Sequence, residues 1–102
     1  MSSTKTWVLY VLHCADDTLY CGITNDLTKR FKMHQAGKGA RYTRGRGPLM
    51  LVRSWPAVSK SAALKGELAF KKLSRARKEK KLRSRSRKDD VSRLLAGQPL
   101  ME

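Results

Sequence analysis

The first sustained apolar run is Trp7, Val8, Leu9, Tyr10, Val11 and Leu12, with no polar residue interrupting it. A continuous stretch of β-branched, aromatic and aliphatic side chains over residues 6–13 predicts a strand buried on both faces, hence a central one. Ala15, Asp16, Asp17 and Thr18 are turn formers, and residues 19–23 predict the return strand of a β-hairpin. Thr24, Asn25 and Asp26 are helix-capping types, so a helix is expected to start there, reach Ala36 and stop at Gly37. Leu27 and Phe31, four residues apart, anchor its buried stripe, while Lys29 and Lys32 fall on the wet side.

The pattern then breaks. Residues 37–48 read as a glycine-rich basic loop, residues 49–55 as a third strand, and Pro56 as its end. A second helix is expected over residues 59–73, capped by Ser59 or Ser61. Its apolar residues, from Ala62 and Leu64 to Leu68, Phe70 and Leu73, occupy more than one face, which predicts a well-buried helix. Residues 75–82 suit a short charged helix, and residues 84–88 carry no apolar side chain. Residues 1–83 are therefore expected to form the domain and residues 84–102 a basic, flexible tail. A helical turn around Val91 and Leu95 has nothing in the sequence that compels it to dock.

Charge changes the picture more than composition does. In 102 residues, 23 Lys and Arg face 8 Asp and Glu, a net charge of +15. Such an excess implies a polyanionic partner: nucleic acid first (DNA ahead of RNA), an acidic membrane surface second. No apolar run approaches the roughly 20 residues a membrane span requires. The polar residues 1–6 lack the apolar core of a secretory signal, so a cytoplasmic, reducing setting is expected. Cys14 and Cys21 are then expected to be free thiols. A zinc site from Cys14, Cys21, His13 and His34 lacks any usual ligand spacing.

Several residues could carry chemistry. Tyr10 and Tyr20 are either half-buried strand aromatics or a functional pair, and the second case requires a hairpin register that puts both rings on one sheet face. Gly22, two residues after Tyr20, lets the backbone approach a ligand or marks a strand irregularity. Arg30 and His34, at i and i+4, project from one helix face, and a guanidinium there could clamp phosphate oxygens. In the loop, Lys38, Arg41, Arg44 and Arg46 among four glycines suit contact with a phosphate backbone, and Tyr42 could stack or hydrogen-bond. Glu67 has Ala63, Leu64 and Phe70 as helical neighbours, so its carboxylate needs a partner. A divalent cation bridging it to phosphate is the first assignment, and an ordinary pair with Lys71 the alternative.

In chain order these are a tyrosine strand, a Tyr20-Cys21-Gly22 strand, a helix with Arg30 and His34, the loop Gly37 to Thr43, and a helix bearing Glu67. That order resembles the GIY-YIG nuclease superfamily, particularly its small single-domain bacterial members. The resemblance runs over residues 7–82. Two departures are visible: Val8-Leu9-Tyr10 lacks the first glycine, and Cys21 replaces isoleucine.

The resemblance implies an α+β fold, a three-stranded antiparallel sheet flanked by helices. It also implies a metal-dependent endonuclease that hydrolyses phosphodiester bonds in DNA, structure-selective in repair or recombination. In that scheme Tyr10 is general base or water-positioning phenol, Tyr20 a second phenol, Arg30 the phosphate clamp and His34 a proton-transfer or orienting partner. Tyr42 is a loop contact, and Glu67 is the ligand of a single Mg²⁺ or Mn²⁺. The alternative is a non-catalytic DNA- or RNA-binding module on a nuclease-like fold. A purely structural basic protein would explain the charge but not Tyr10, Arg30 and Glu67 together.

Overall fold

The computed structural model of the protein describes residues 6–98. Three strands, β1 (Trp7–His13), β2 (Leu19–Thr24) and β3 (Met50–Ala57), form an antiparallel sheet in the order β2-β1-β3. The central place of β1 follows from its continuous apolar run: Leu9, Tyr10, Val11 and Leu12 are all buried. The hairpin between β1 and β2 closes where Cys14 N–H donates to the Thr18 carbonyl at 2.9 Å, with Asp17 at a positive φ of 67°.

Helices cover the sheet. Helix α1 (Leu27–Gln35) starts at Asp26, whose carboxylate accepts from Lys29 N–H at 3.2 Å. It ends as foreseen at Gly37, where φ is +76° and the amide of Lys38 reaches back to the Met33 carbonyl at 2.8 Å. Helix α2 (Lys60–Lys71) is capped by Ser59, and α3 (Arg75–Arg83) by Ser74. A short α4 (Asp90–Leu95) follows.

Because side chains alternate along β1, two cores form. Leu9 and Val11 pack with Trp55, Ala63, Phe70, Val91 and Leu95, under α2 and α4. Tyr10 and Leu12 pack with Cys14 and Leu49, with Leu27 and Phe31 of α1 against them. The two thiols are buried and unlinked.

Three expectations need correction. Strand β3 runs through Pro56, which pairs with Val8, because β3 is an edge strand where a missing N–H leaves no ladder bond broken on the outer side. Helix α2 is not buried all round: Ala62, Ala63, Gly66 and Phe70 face inward, while Leu64 and Leu68 are 47% and 57% exposed.

The third correction concerns the flexible tail proposed for residues 84–102, which does not describe α4. Val91 and Leu95 are buried in the α2 core, and the Val58 N–H donates to the Leu95 carbonyl at 3.0 Å. The buried Lys81 ammonium holds Asp89 at 2.9 Å and Ser92 Oγ at 2.5 Å, at the start of α4. Gly66, which costs about 1 kcal/mol of helix propensity relative to alanine, sits directly under Leu95, whose methyl would overlap any Cβ placed there. Residues 1–5 and 99–102, which include most of the polar N-terminal stretch and the end of the expected tail, lie outside the described residues.

Candidate functional site

The hairpin register pairs Tyr10 with Gly22 and Leu12 with Tyr20. Residues of equal parity on the two strands therefore share a face, which brings the two phenols together: their ring centroids are 6.4 Å apart. Gly22 lies beneath Tyr10, and a Cβ there would fall 2.7 Å from the phenol oxygen. Close ring approach is the reason for this glycine.

His34 comes from α1 onto the same face. Its Nε2 is 2.7 Å from Tyr10 Oη, and its ring lies edge-on to Tyr20 at 5.3 Å. Its Nδ1 is 3.0 Å from Thr43 Oγ1. Thr43 donates its only hydroxyl proton to the Ala40 carbonyl at 2.9 Å, so toward His34 it can only accept. Nδ1 then carries the ring proton and Nε2 accepts from the Tyr10 hydroxyl. The Ala40 N–H approach to Nδ1, at 3.4 Å, favours the opposite tautomer but is the longer contact and yields to this arrangement.

Electrostatics follow from burial. Desolvation pushes the Tyr10 phenol up to about 12, against the pull of a hydrogen bond donated by Arg30. Burial also raises Tyr20, opposed by Arg30 and Lys71 and aided by Glu67. It lowers His34, with a smaller push from the Arg30 charge, so the imidazole is neutral near pH 7. Cys21 is raised to about 11 by desolvation. Arg30 is thus the cation that acts on both phenols, and Glu67 acts on Tyr10, Tyr20 and Cys21 from α2.

The loop adds a second layer. Tyr42 stacks on Tyr20 at 5.8 Å with planes 26° apart, and the Arg46 guanidinium sits 4.2 Å from the centre of the Tyr42 ring. Asp16 in the hairpin turn pairs with Arg46 and fixes it there. A cleft of about 400 Å³ opens beside His34, walled by Thr43, Gly45, Gly47 and Leu49. Lys38, Arg41 and Arg44 stay in the loop without joining the cluster. Arg41 and Arg44 are exposed, and Lys38 faces a shallow groove with Asp26, Lys29 and Lys32 along α1.

Thr43 and Gly39 are site residues that residue chemistry alone did not single out. Thr43 orients the imidazole, and Gly39 leaves room for it, since a Cβ there would collide with the ring. The run from Gly37 to Thr43 was the available signal, but nothing in it marks a contact with a histidine nine residues earlier.

The GIY-YIG catalytic domain pattern matches residues 6–81. A UPF0213 protein of Cupriavidus pinatubonensis is 51% identical over 78 residues, which is 76% of this chain and 87% of that one. The chain belongs to the GIY-YIG family. It is also homologous to the UPF0213 proteins. The solution NMR structure of the UPF0213 protein BH0048 from Bacillus halodurans shares 45% identity and a TM-score of 0.51, covering 76% of this chain and 82% of that one. The NMR structure of the protein EF2693 from E. faecalis gives 38% and 0.56, over 80% and 88%.

Family membership does not carry the expected activity with it. UPF0213 proteins align with this GIY-YIG chain over most of its length. Among the described residues, no group of three or more His, Cys, Asp and Glu side chains comes together to hold a metal ion. The expected metal-dependent endonuclease, with its repair or recombination role, is corrected on these findings.

Glu67, 19% exposed, lies 3.6 Å from Lys71, the partner that the alternative assignment named. Tyr10 donates its proton to the neutral imidazole of His34, and burial holds the phenol in its protonated form. Among the described residues, no helix is long and apolar enough to cross a membrane.

Proposed function

We propose that this GIY-YIG protein is a module that binds DNA or RNA at the Tyr10–Tyr20–Arg30 face and holds it without cutting it. The observation that carries this reading is the column Arg46–Tyr42–Tyr20, a cation and two aromatic rings in register beside Arg30. A guanidinium held over the ring of a 39% exposed tyrosine offers a cation–aromatic surface to an unpaired base. Arg41 and Arg44 beside it, on a chain of net charge +15, suit the phosphates on either side. DNA is the first ligand and RNA the second, in a cytoplasm whose reducing state suits two unlinked cysteines.

Fluorescence anisotropy with labelled single-stranded, branched and duplex oligonucleotides, over a salt series, tests this. Each phosphate neutralised should contribute a log–log slope of about −0.7 on single strands and −0.9 on duplex. Tyr42→Ala should weaken binding to unpaired strands by roughly 1–3 kcal/mol per stacked base, and the recovered strands should be uncut. Undiminished affinity in a Tyr42→Ala/Arg46→Ala protein would remove the column from the account. Cleavage of bound strands would refute the holding role.

A further inference from the structure

On the layer formed by α2, α3 and α4, a groove of about 930 Å³ shares no residue with the Tyr10 cluster. Its floor is apolar, built from Leu68, Leu73 and Leu94, and Leu68 is 57% exposed. Its rim carries Lys65, Lys72, Arg77 and Lys80, none of which has a carboxylate partner among the described residues, and the carboxylates of Asp89 and Asp90 at the α4 end leave the lining with an excess of positive charge. Lys81, also at the groove, is already held by Asp89 and Ser92.

We infer that this groove is a docking surface for an acidic amphipathic helix of a partner protein, independent of the nucleic-acid face. Such a helix would lay its apolar stripe over Leu68 and Leu94 and set its carboxylates against the rim. Charge complementarity selects this occupant. A second copy of this chain brings another +15 and only 8 carboxylates, so like charge opposes self-docking. A nucleic acid would satisfy Lys72, Arg77 and Lys80 but leave Leu68 without an apolar counterpart, since phosphate contacts are made by polar and cationic groups. The docked α4 makes the groove: Leu94 sits on it one residue before the buried Leu95.

The test uses the full chain and a fluorescein-labelled synthetic helix of about four turns, with leucines at i, i+3, i+4 and i+7 and glutamates on the flanks. A permuted peptide of identical composition, lacking the stripe, is the control for charge alone. The amphipathic peptide should bind and the permuted one should bind about tenfold more weakly or worse. Leu68→Asp should weaken the amphipathic peptide by about tenfold while leaving duplex affinity unchanged. Lys72→Glu/Arg77→Glu, which alters only exposed side chains, should weaken the peptide comparably and give a second readout. Equal binding of both peptides, no binding of either, no effect of Leu68→Asp, or displacement of the peptide by a duplex oligonucleotide would each overturn the proposal. Displacement would assign the groove to nucleic acid instead.

Discussion

Replacing Gly66 with alanine should change sign with the state of α4. In an exposed helix interior the substitution stabilises by about 1 kcal/mol, because alanine has less backbone freedom to lose. Here the added methyl meets Leu95, whose side chain is 97% removed from solvent and cannot simply swing into water. Overpacking of that kind typically costs about 1–3 kcal/mol, so Gly66→Ala should be neutral to destabilising by about 2 kcal/mol.

Leu95→Ala alone should cost about 2–5 kcal/mol through lost burial and the cavity it leaves. In the Leu95→Ala background the collision is gone, and Gly66→Ala should become stabilising by about 1 kcal/mol. The coupling between the two sites is then the size of the clash, about 1–3 kcal/mol. Urea titration of the four proteins measures it, and a change of 1 kcal/mol moves the melting temperature by about 4–8 °C in a domain of this size. A Gly66→Ala gain of equal size in both backgrounds would show that α4 does not rest on α2.

Tyr10→Phe should destabilise by about 1–3 kcal/mol, since it leaves the buried His34 Nε2 without its partner; chemical denaturation checks it, and an unchanged midpoint would count against the Tyr10–His34 hydrogen bond. The lowered His34 makes stability depend on pH in a definite direction. The unfolded state takes up a proton near pH 6.5 that the folded state resists, so stability is full above that value and falls as pH drops below it. His34→Gln should flatten this dependence between pH 7 and the folded value, and an unaltered slope would refute the attribution.

The elements that local spacing alone determines were legible in the sequence. β1 was central because no polar residue interrupts Trp7 to Leu12, and α1 stopped where Gly37 takes a positive φ. The demand that Tyr10 and Tyr20 share a face was a matter of parity, and the register meets it. The misses are contacts between distant segments. Nothing near Leu95 announces that Gly66, some thirty positions earlier, was left without a side chain to receive it. Leu64 and Leu68 looked like core on a helical wheel, but α2 has only one layer beneath it, so its other apolar stripe faces outward. The surroundings of Tyr10 and Glu67 were hidden for a related reason. Residue types offered a phenol and a carboxylate, and only the fold supplies the neighbours, His34 against the phenol and Lys71 near the carboxylate.

The link from Tyr10 through His34 to Thr43 has a mechanical consequence for the basic loop. Its arginines hang from a chain pinned at Thr43, which is buried to 98%, and stitched again where the Ala15 N–H donates to the Arg46 carbonyl at 2.7 Å. An arm clamped at both points arrives at a ligand with much of its conformational freedom already surrendered, so binding loses less entropy than a free glycine-rich segment would. Cutting the clamp with Thr43→Val should therefore slow association or hasten release without removing a single positive charge.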